Sequence, residues 1–371
     1  MTRLSPQAFG LDNISPTNPS LNFYDLRIGE PKLSPFPFNI FDKLHLHKNI
    51  HSYYPSHGDL TLRKMIVDMY YTQCSIDNVS VTHGALGAID FIFRATLNSE
   101  SEILIPDPGF PPYCKLAGFS GAKVSQYYLN LALNPETSIN WEQLESLITD
   151  KTKLILINSP HNPTGKVLTE TDFLRFQLLL KNHPQVSFIL DEVYRDLIYD
   201  DKTHYDFSEF IDRGYIVGSF SKMYPVPGAR VGWVLTSIEK MKNISPFLNN
   251  ATGAISSFGQ EIVKIIMNRK LSFKEKYSEA WNNVKEILDF HHVEYISPEG
   301  AFFVFIKYEI NGFEATSELA ELGVGVVPGG AFGEIGENYI RASFAQGDDV
   351  LENAFSIISK HWDKTHPRII H

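Results

Sequence analysis

The chain has 371 residues, 43% hydrophobic and 20% charged, with a formal net charge of −10 at pH 7. That length suits one large domain with a smaller companion, and the acidic balance argues against a basic nucleic-acid footprint. Two cysteines, Cys74 and Cys114, are too few for a disulfide framework, and no run of about 18 apolar residues is present to cross a membrane.

Read from the N-terminus, "MTRLSPQAFGLDN" lacks the apolar stretch of a signal peptide, which predicts a cytoplasmic protein. The Asn-x-Ser/Thr matches at Asn13, Asn78, Asn243 and Asn250 are then chance. Residues 1–40 are rich in Pro, Asn and Ser and hold no long periodic segment. From 79 onward, short apolar runs alternate with amphipathic stretches. The runs at 79–82, 102–106, 123–129, 153–159, 186–192, 215–220 and 230–235 read as strands, most with few charges and many β-branched residues. Segments such as 84–97, 140–149 and 169–182 between them read as helices, the last opening on a Thr-x-x-Asp capping signal. This alternation predicts an α/β fold with a mostly parallel, doubly wound sheet of seven strands flanked by helices.

Beyond about 270 the pattern changes. A charged helix (272–290) leads to "AFFVFIKY", a helix near 313–322, "VGVV", "YIRASF" and a last helix from about 348. The expected division is a large domain over 45–270 and a smaller α+β domain from 1–44 and 271–371.

Chemistry collects where the strands end, the edge at which open α/β sheets bind ligands. Strand 153–159 runs into "PHNPTG" with Asn162; strand 186–192 ends at Asp191, followed by Tyr194; strand 215–220 ends at Ser219, Ser221 and Lys222. Any one of these could be a turn residue or a capping acid. Together they put an amide, an acid, a phenol, hydroxyls and a lysine on one edge of one sheet. A lysine in apolar surroundings loses its proton more readily, and a neutral amine condenses with a carbonyl. A buried acid can keep a pyridine nitrogen protonated, and pyridoxal phosphate needs that pair to act as an electron sink. Gly84 in "THGALGAIDF" opens a helix whose free N–H groups suit a phosphate. Ser219 and Arg230 can add a hydroxyl and a guanidinium to the same anion.

In order and spacing, "NSPHNPTG", "DEVY" and "SFSKMYPVPGARVG" resemble the class I/II aminotransferases of pyridoxal phosphate fold type I, over a span from "DLRIGEP" to "YIRASFA". The resemblance implies Lys222 as the Schiff-base lysine, Asp191 as the partner of the pyridine nitrogen, and Tyr194 and Asn162 as donors to the phenolic oxygen of the cofactor. Phe110 in "DPGFPPY" falls where the family stacks an aromatic ring on the pyridine. Gly84, Ala85, Leu86, Ser219, Ser221 and Arg230 fall at phosphate-binding positions. Arg341 resembles the arginine that grips the substrate α-carboxylate, with the Gly29 backbone on its opposite side, and Asn162 is a further implied substrate contact. Lys32 stands where the family usually has an acid.

The segment "SYYPSHGDLTLR" resembles the one that sends a tyrosine across a homodimer interface to a phosphate, and spacing leaves Tyr53 and Tyr54 both open. The implied activity is ping-pong transamination between an α-amino acid and a 2-oxo acid, with pyridoxal phosphate and no metal. Alternatives are a lyase or cyclase of the same fold working by β-elimination, or a non-catalytic cofactor-binding sensor domain. The stretch 244–260 contains no Arg or Lys, and Ser245 stands where the dicarboxylate-specific branch carries arginine. The expected donor therefore has a neutral side chain, with Arg27, Lys32 and His83 as the remaining cations near the motifs.

Overall fold

The computed structural model describes residues 22–31, 52–132, 136–199, 202–269 and 271–366. Asn13, Lys32 and the expected boundary at 44/45 lie outside them. A short strand, β1 (Tyr24–Asp25), comes first. The large sheet is built from β2 (Val79–Thr82), β3 (Glu102–Asp107), β4 (Lys123–Tyr128), β5 (Thr152–Asn158), β6 (Ser187–Asp191), β7 (Gly214–Ser219) and β8 (Gly232–Thr236), in the order β2-β8-β7-β6-β5-β3-β4. Every expected strand of this sheet is present. β8 alone runs against its neighbours, antiparallel to both β2 and β7.

The interior strands are buried on both faces, and their side chains alternate between two cores. Ile103, Ile105, Leu154, Leu156 and Ile189 join the helices Gly84–Thr96, Pro112–Phe119 and Ile238–Phe247 on one side. Leu104, Ile155, Ile157, Phe188 and Leu190 join the helices Leu60–Tyr70, Glu170–Asn182 and Lys274–Phe290 on the other. The edge strand β4 is more open and carries the exposed Lys123, which suits an edge that must not pair further. The capping signal at 169 closes in both directions: Thr169 Oγ1 accepts from the Asp172 N–H, and Asp172 accepts from the Thr169 N–H.

Residues 271–366 add β9 (Tyr295–Ile296), β10 (Phe303–Lys307), β11 (Val324–Gly325), β12 (Val327–Pro328) and β13 (Tyr339–Ser343), and end in the helix Asp348–Thr365. β12, β13, β10 and β9 form a four-stranded sheet, while β1 pairs in parallel with β11. The N-terminal segment then passes beside β13, where the Ser343 N–H donates to the Leu26 carbonyl at 3.0 Å. That path carries Arg27 and Gly29 to the edge of the large sheet.

Candidate active site

The reversed direction of β8 builds the anion end of the site. Gly232 is in register with Thr82 on β2 and with Ser219 on β7. The start of β8, rather than its end, therefore lies at the edge where β2 and β7 finish. Arg230, just before β8, adopts a left-handed conformation (φ 54°), uncommon for a residue with a side chain and typical of functional turns. Its guanidinium comes to rest over Gly84, itself at φ +68°. The positive φ favours glycine here, and a Cβ would also sit 2.7 Å from Arg230 Nη2 and push the guanidinium aside. The first turn of Gly84–Thr96, including Ala85 and Leu86, turns its free N–H groups and positive dipole end toward the same place. Ser219 Oγ lies 3.1 Å from Ser221 Oγ, and Arg230 Nη1 is 3.5 Å from Ser221 Oγ.

Lys222 follows β7 in the short helix Phe220–Met223. Its Nζ donates to the Gly29 carbonyl at 2.5 Å and lies 6.0 Å from the Phe302 ring centre. Burial, with Arg341 and Arg230 adding to it, brings its pKa down to about 8. Asp191 ends β6 on the side of Ile189 and is 4% exposed. Burial pushes its carboxyl up to about 6, against the pull of the Tyr113 hydroxyl (2.6 Å) and the Val193 N–H (3.1 Å), both of which donate to it. Active sites collect such groups, an amine and an acid whose pKa values are both drawn toward neutrality.

Arg341 enters from β13, paired with Phe305 on β10 and Val327 on β12. It is buried between the rings of Phe303 and Phe332, at 4.3 and 5.0 Å from their centres. Nη1 donates to Asn162 Oδ1 at 2.9 Å and Nη2 to the Arg27 carbonyl at 2.5 Å. Burial lowers its pKa to about 10, so it remains charged at neutral pH. Asn158 fixes Asn162 in turn, accepting its N–H at 2.9 Å while donating to the Asp191 carbonyl. Tyr194 packs edge-on against Phe302 and Phe303, and burial raises its hydroxyl pKa. Asn162, Tyr194, Lys222, Asp191 and Arg341 thus converge through direct or one-step contacts.

Other expected residues sit less centrally. Phe110 is partly buried, with its ring edge-on to Tyr113 at 5.5 Å and 82°. Tyr53 is 95% exposed, whereas the Tyr54 hydroxyl bonds Glu261 of its own chain. Arg27 is held by Asp25, with Nε and Nη2 at 2.9 and 3.0 Å from its two carboxylate oxygens. His83 is exposed, and desolvation and Arg230 both lower its pKa.

Two residues were not foreseen. Tyr113, buried against Asp191, stands three residues after Phe110, and that Phe-x-x-Tyr spacing at a helix start was the available signal. Glu192, in the "DEVY" run, anchors a separate network described below. Among the described residues no group of three or more His, Cys, Asp or Glu could hold a metal, and no helix is long and apolar enough to cross a membrane.

These residues fit pyridoxal phosphate. Arg230, Ser219 and the first turn of Gly84–Thr96 gather anion donors where β2 and β7 end and β8 begins, Lys222 is a partly buried amine of lowered pKa, and Asp191 is a buried acid at the end of β6, beside β7. Lys222 would hold the aldehyde, Asp191 the ring nitrogen, Asn162 and Tyr194 the phenolic oxygen, and Gly84, Ala85, Ser219 and Arg230 the phosphate.

A family model described as aminotransferase class I and II matches residues 23–357. A probable aspartate aminotransferase of Methanocaldococcus jannaschii is 33% identical over 91% of this chain and 92% of that protein. Aromatic-amino-acid aminotransferase 2 of Thermococcus litoralis is 29% identical over 90% of each chain. Among solved structures, aspartate aminotransferase of Thermotoga maritima superposes with a TM-score of 0.84 at 29% identity, covering 91% of this chain and 92% of that one. An aromatic aminotransferase of Pyrococcus horikoshii does so at 0.85 and 28%, covering 92% and 96%.

Proposed function

The chain belongs to the class I and II aminotransferases, pyridoxal phosphate-dependent transaminases acting on amino and 2-oxo acids, and from that premise we propose that its donor is an amino acid with a neutral side chain. When bound, pyridoxal phosphate supplies an aldehyde for the amine and a ring that accepts the electron pair left at Cα. Lys222, with a neutral Nζ, would take the substrate Cα proton as base and hand it back as acid. Arg341 receives the α-carboxylate in its planar fork, oriented by Asn162 and the Arg27 carbonyl. Asp191 would hold the proton of the ring nitrogen.

The observation that carries the neutral donor is the state of Arg27. Its guanidinium is already neutralised by Asp25, so a distal carboxylate would have to compete with that pair. The stretch 244–260 offers no cation, and Ser245 is engaged by His57 and the Met241 carbonyl. A carboxylate buried without a charge partner costs several kcal/mol. Aspartate is the second reading, supported by relatives at 33% and 32% identity named as aspartate aminotransferases. First-half-reaction rate constants for aspartate, leucine, methionine and phenylalanine at equal concentration decide between them. The neutral reading requires aspartate to be slower by at least ~10²-fold; aspartate fastest would sink it and make Lys32 and His83 the residues to substitute.

The active form is proposed as a homodimer. Tyr53, with its ring in solvent ahead of the helix Leu60–Tyr70, is better suited than the engaged Tyr54 to reach a partner's phosphate. A fully active monomer in analytical ultracentrifugation at assay concentration would refute this. A cytoplasmic location is supported by the two free cysteines, Cys74 and Cys114.

A further inference from the structure

We infer that Tyr113 is a positioning residue for Asp191: its phenolic O–H, donated to Oδ2, holds the acid ionised so that the proton shared with a bound cofactor stays on the ring nitrogen. The inference rests on the reading of Asp191 as partner of that nitrogen. It starts from what each carboxylate oxygen meets. Oδ1 accepts the Val193 N–H at 3.1 Å, and Oδ2 accepts the Tyr113 hydroxyl at 2.6 Å. Tyr113 and Asp191 are 2% and 4% exposed, so water cannot substitute for a lost donor without rearrangement.

The position of the shared proton depends on which of the two groups, carboxylate or ring nitrogen, is the stronger base. Burial makes Asp191 more basic than a free carboxylate, and neighbouring Glu192 acts in the same direction. Lys222 opposes this from the helix Phe220–Met223, and the Tyr113 hydroxyl opposes it from the helix Pro112–Phe119. Tyr194, the other titratable group beside the carboxylate, is kept protonated by burial and adds no charge. Hydrogen bonds to the ionised form lower its basicity, and of these opposing groups Tyr113 is the neutral donor held on the acid by a side chain. Its own proton stays put, because burial and Asp191 both raise the Tyr113 pKa well above the usual value. Removing the bond would let the shared proton move from the ring nitrogen to an Asp191 oxygen. The ring would then be neutral and a poorer electron acceptor.

The same side chain also touches the residue expected to stack on the ring. Tyr113 meets Phe110 edge-to-face at 5.5 Å, and its N–H donates to the Phe110 carbonyl at 3.0 Å. One residue therefore orders both the acid at the ring nitrogen and the stacking ring. A purely packing role would need only the aromatic body, which phenylalanine keeps.

The test is the ¹⁵N resonance of holoenzyme reconstituted with ring-¹⁵N pyridoxal phosphate, recorded from pH 6 to 9 for wild type, Tyr113→Phe and Asp191→Asn. Wild type should stay at the pyridinium position and Asp191→Asn should move to the neutral one. Tyr113→Phe should shift from the first toward the second. Tyr113→Phe unmoved while Asp191→Asn moves would reduce Tyr113 to packing and overturn the inference. Asp191→Asn unmoved would overturn the Asp191 reading itself. Should Tyr113→Phe fail to accumulate, site-specific 3-fluorotyrosine at 113, a stronger donor of nearly the same shape, is compared with wild type. The titration is carried above pH 9 until the wild-type resonance leaves the pyridinium position, and the fluorinated protein should leave it at a higher pH. Equal or lower pH would overturn the inference.

Discussion

Asp191 and Glu192 are neighbours in the chain and point to opposite faces of the sheet, and their surroundings drive them in opposite directions. Asp191 follows the Ile189 side, toward Tyr113 and Lys222, and its pKa rises to about 6. Glu192 follows the Leu190 side and is 1% exposed, yet its pKa falls. Burial acts on both. At Glu192 it is outweighed by Arg195 (2.5 Å), His204 (3.0 Å) and the Tyr71 hydroxyl, which also accepts the Trp233 indole N–H at 3.0 Å. Arg195 in turn lies over the rings of Tyr70 and Tyr71. One acid is left with neutral donors and the pull of one amine, Lys222, which suits proton exchange with a ligand. The other is fully satisfied, which suits a fixed joint between β6, β8 and the helix Leu60–Tyr70. The lesson is that burial alone assigns no role; the charge partner does.

Lys222→Ala should have the largest effect, removing the donor-driven half-reaction by ~10⁴-fold or more. Borohydride should then no longer trap the cofactor on the chain, and an adduct on another lysine would refute the assignment. Asp191→Ala should retain cofactor and fold while losing ~10²–10³-fold in rate, read by single turnover. Glu192→Ala should do the reverse. It leaves Arg195 buried without its carboxylate, a loss of about 3–5 kcal/mol in urea unfolding, with turnover in the surviving folded fraction little changed.

The Lys222 pKa near 8 predicts a pH dependence for capture of pyridoxal phosphate by apoenzyme. The amine must be neutral to attack, so the rate should rise about tenfold per pH unit below 8 and level off above it. A flat profile from pH 6 to 8 would contradict this. The smallest effect is expected for His204→Ala, which removes one of three partners of Glu192 and should cost about 1 kcal/mol of stability with unchanged rate.

Much of this arrangement was legible before any coordinates. The seven large-sheet strands stand out because strands covered on both faces need continuous apolar, β-branched runs. Lys222, Asp191 and Asn162 are legible because they stand at or just beyond strand ends, and strand ends share one edge. The reversal of β8 was not legible, because an apolar run carries no direction, and that reversal is what brings Arg230 over Gly84. The sequence reading does not single out the helices Leu60–Tyr70, Pro112–Phe119, Ile238–Phe247 and Ser257–Asn268, the third of which contains Pro246. Tyr113 and Glu192 were missed for another reason. Their roles lie in the partners they meet across the fold, 78 and 121 residues away in the chain. Arg27 was counted as an available cation because its pairing with Asp25 depends on side-chain geometry, which the spacing of two residues does not specify.

The most direct measurement is the amino-donor half-reaction rate of two isosteric variants, Asp191→Asn and Glu192→Gln, each prepared as folded, cofactor-loaded protein. Chemistry assigned to the first acid and structure to the second predicts a loss of about 10²-fold or more for Asp191→Asn and a rate within a few-fold of wild type for Glu192→Gln. Equal losses, or a larger loss in Glu192→Gln, would contradict it.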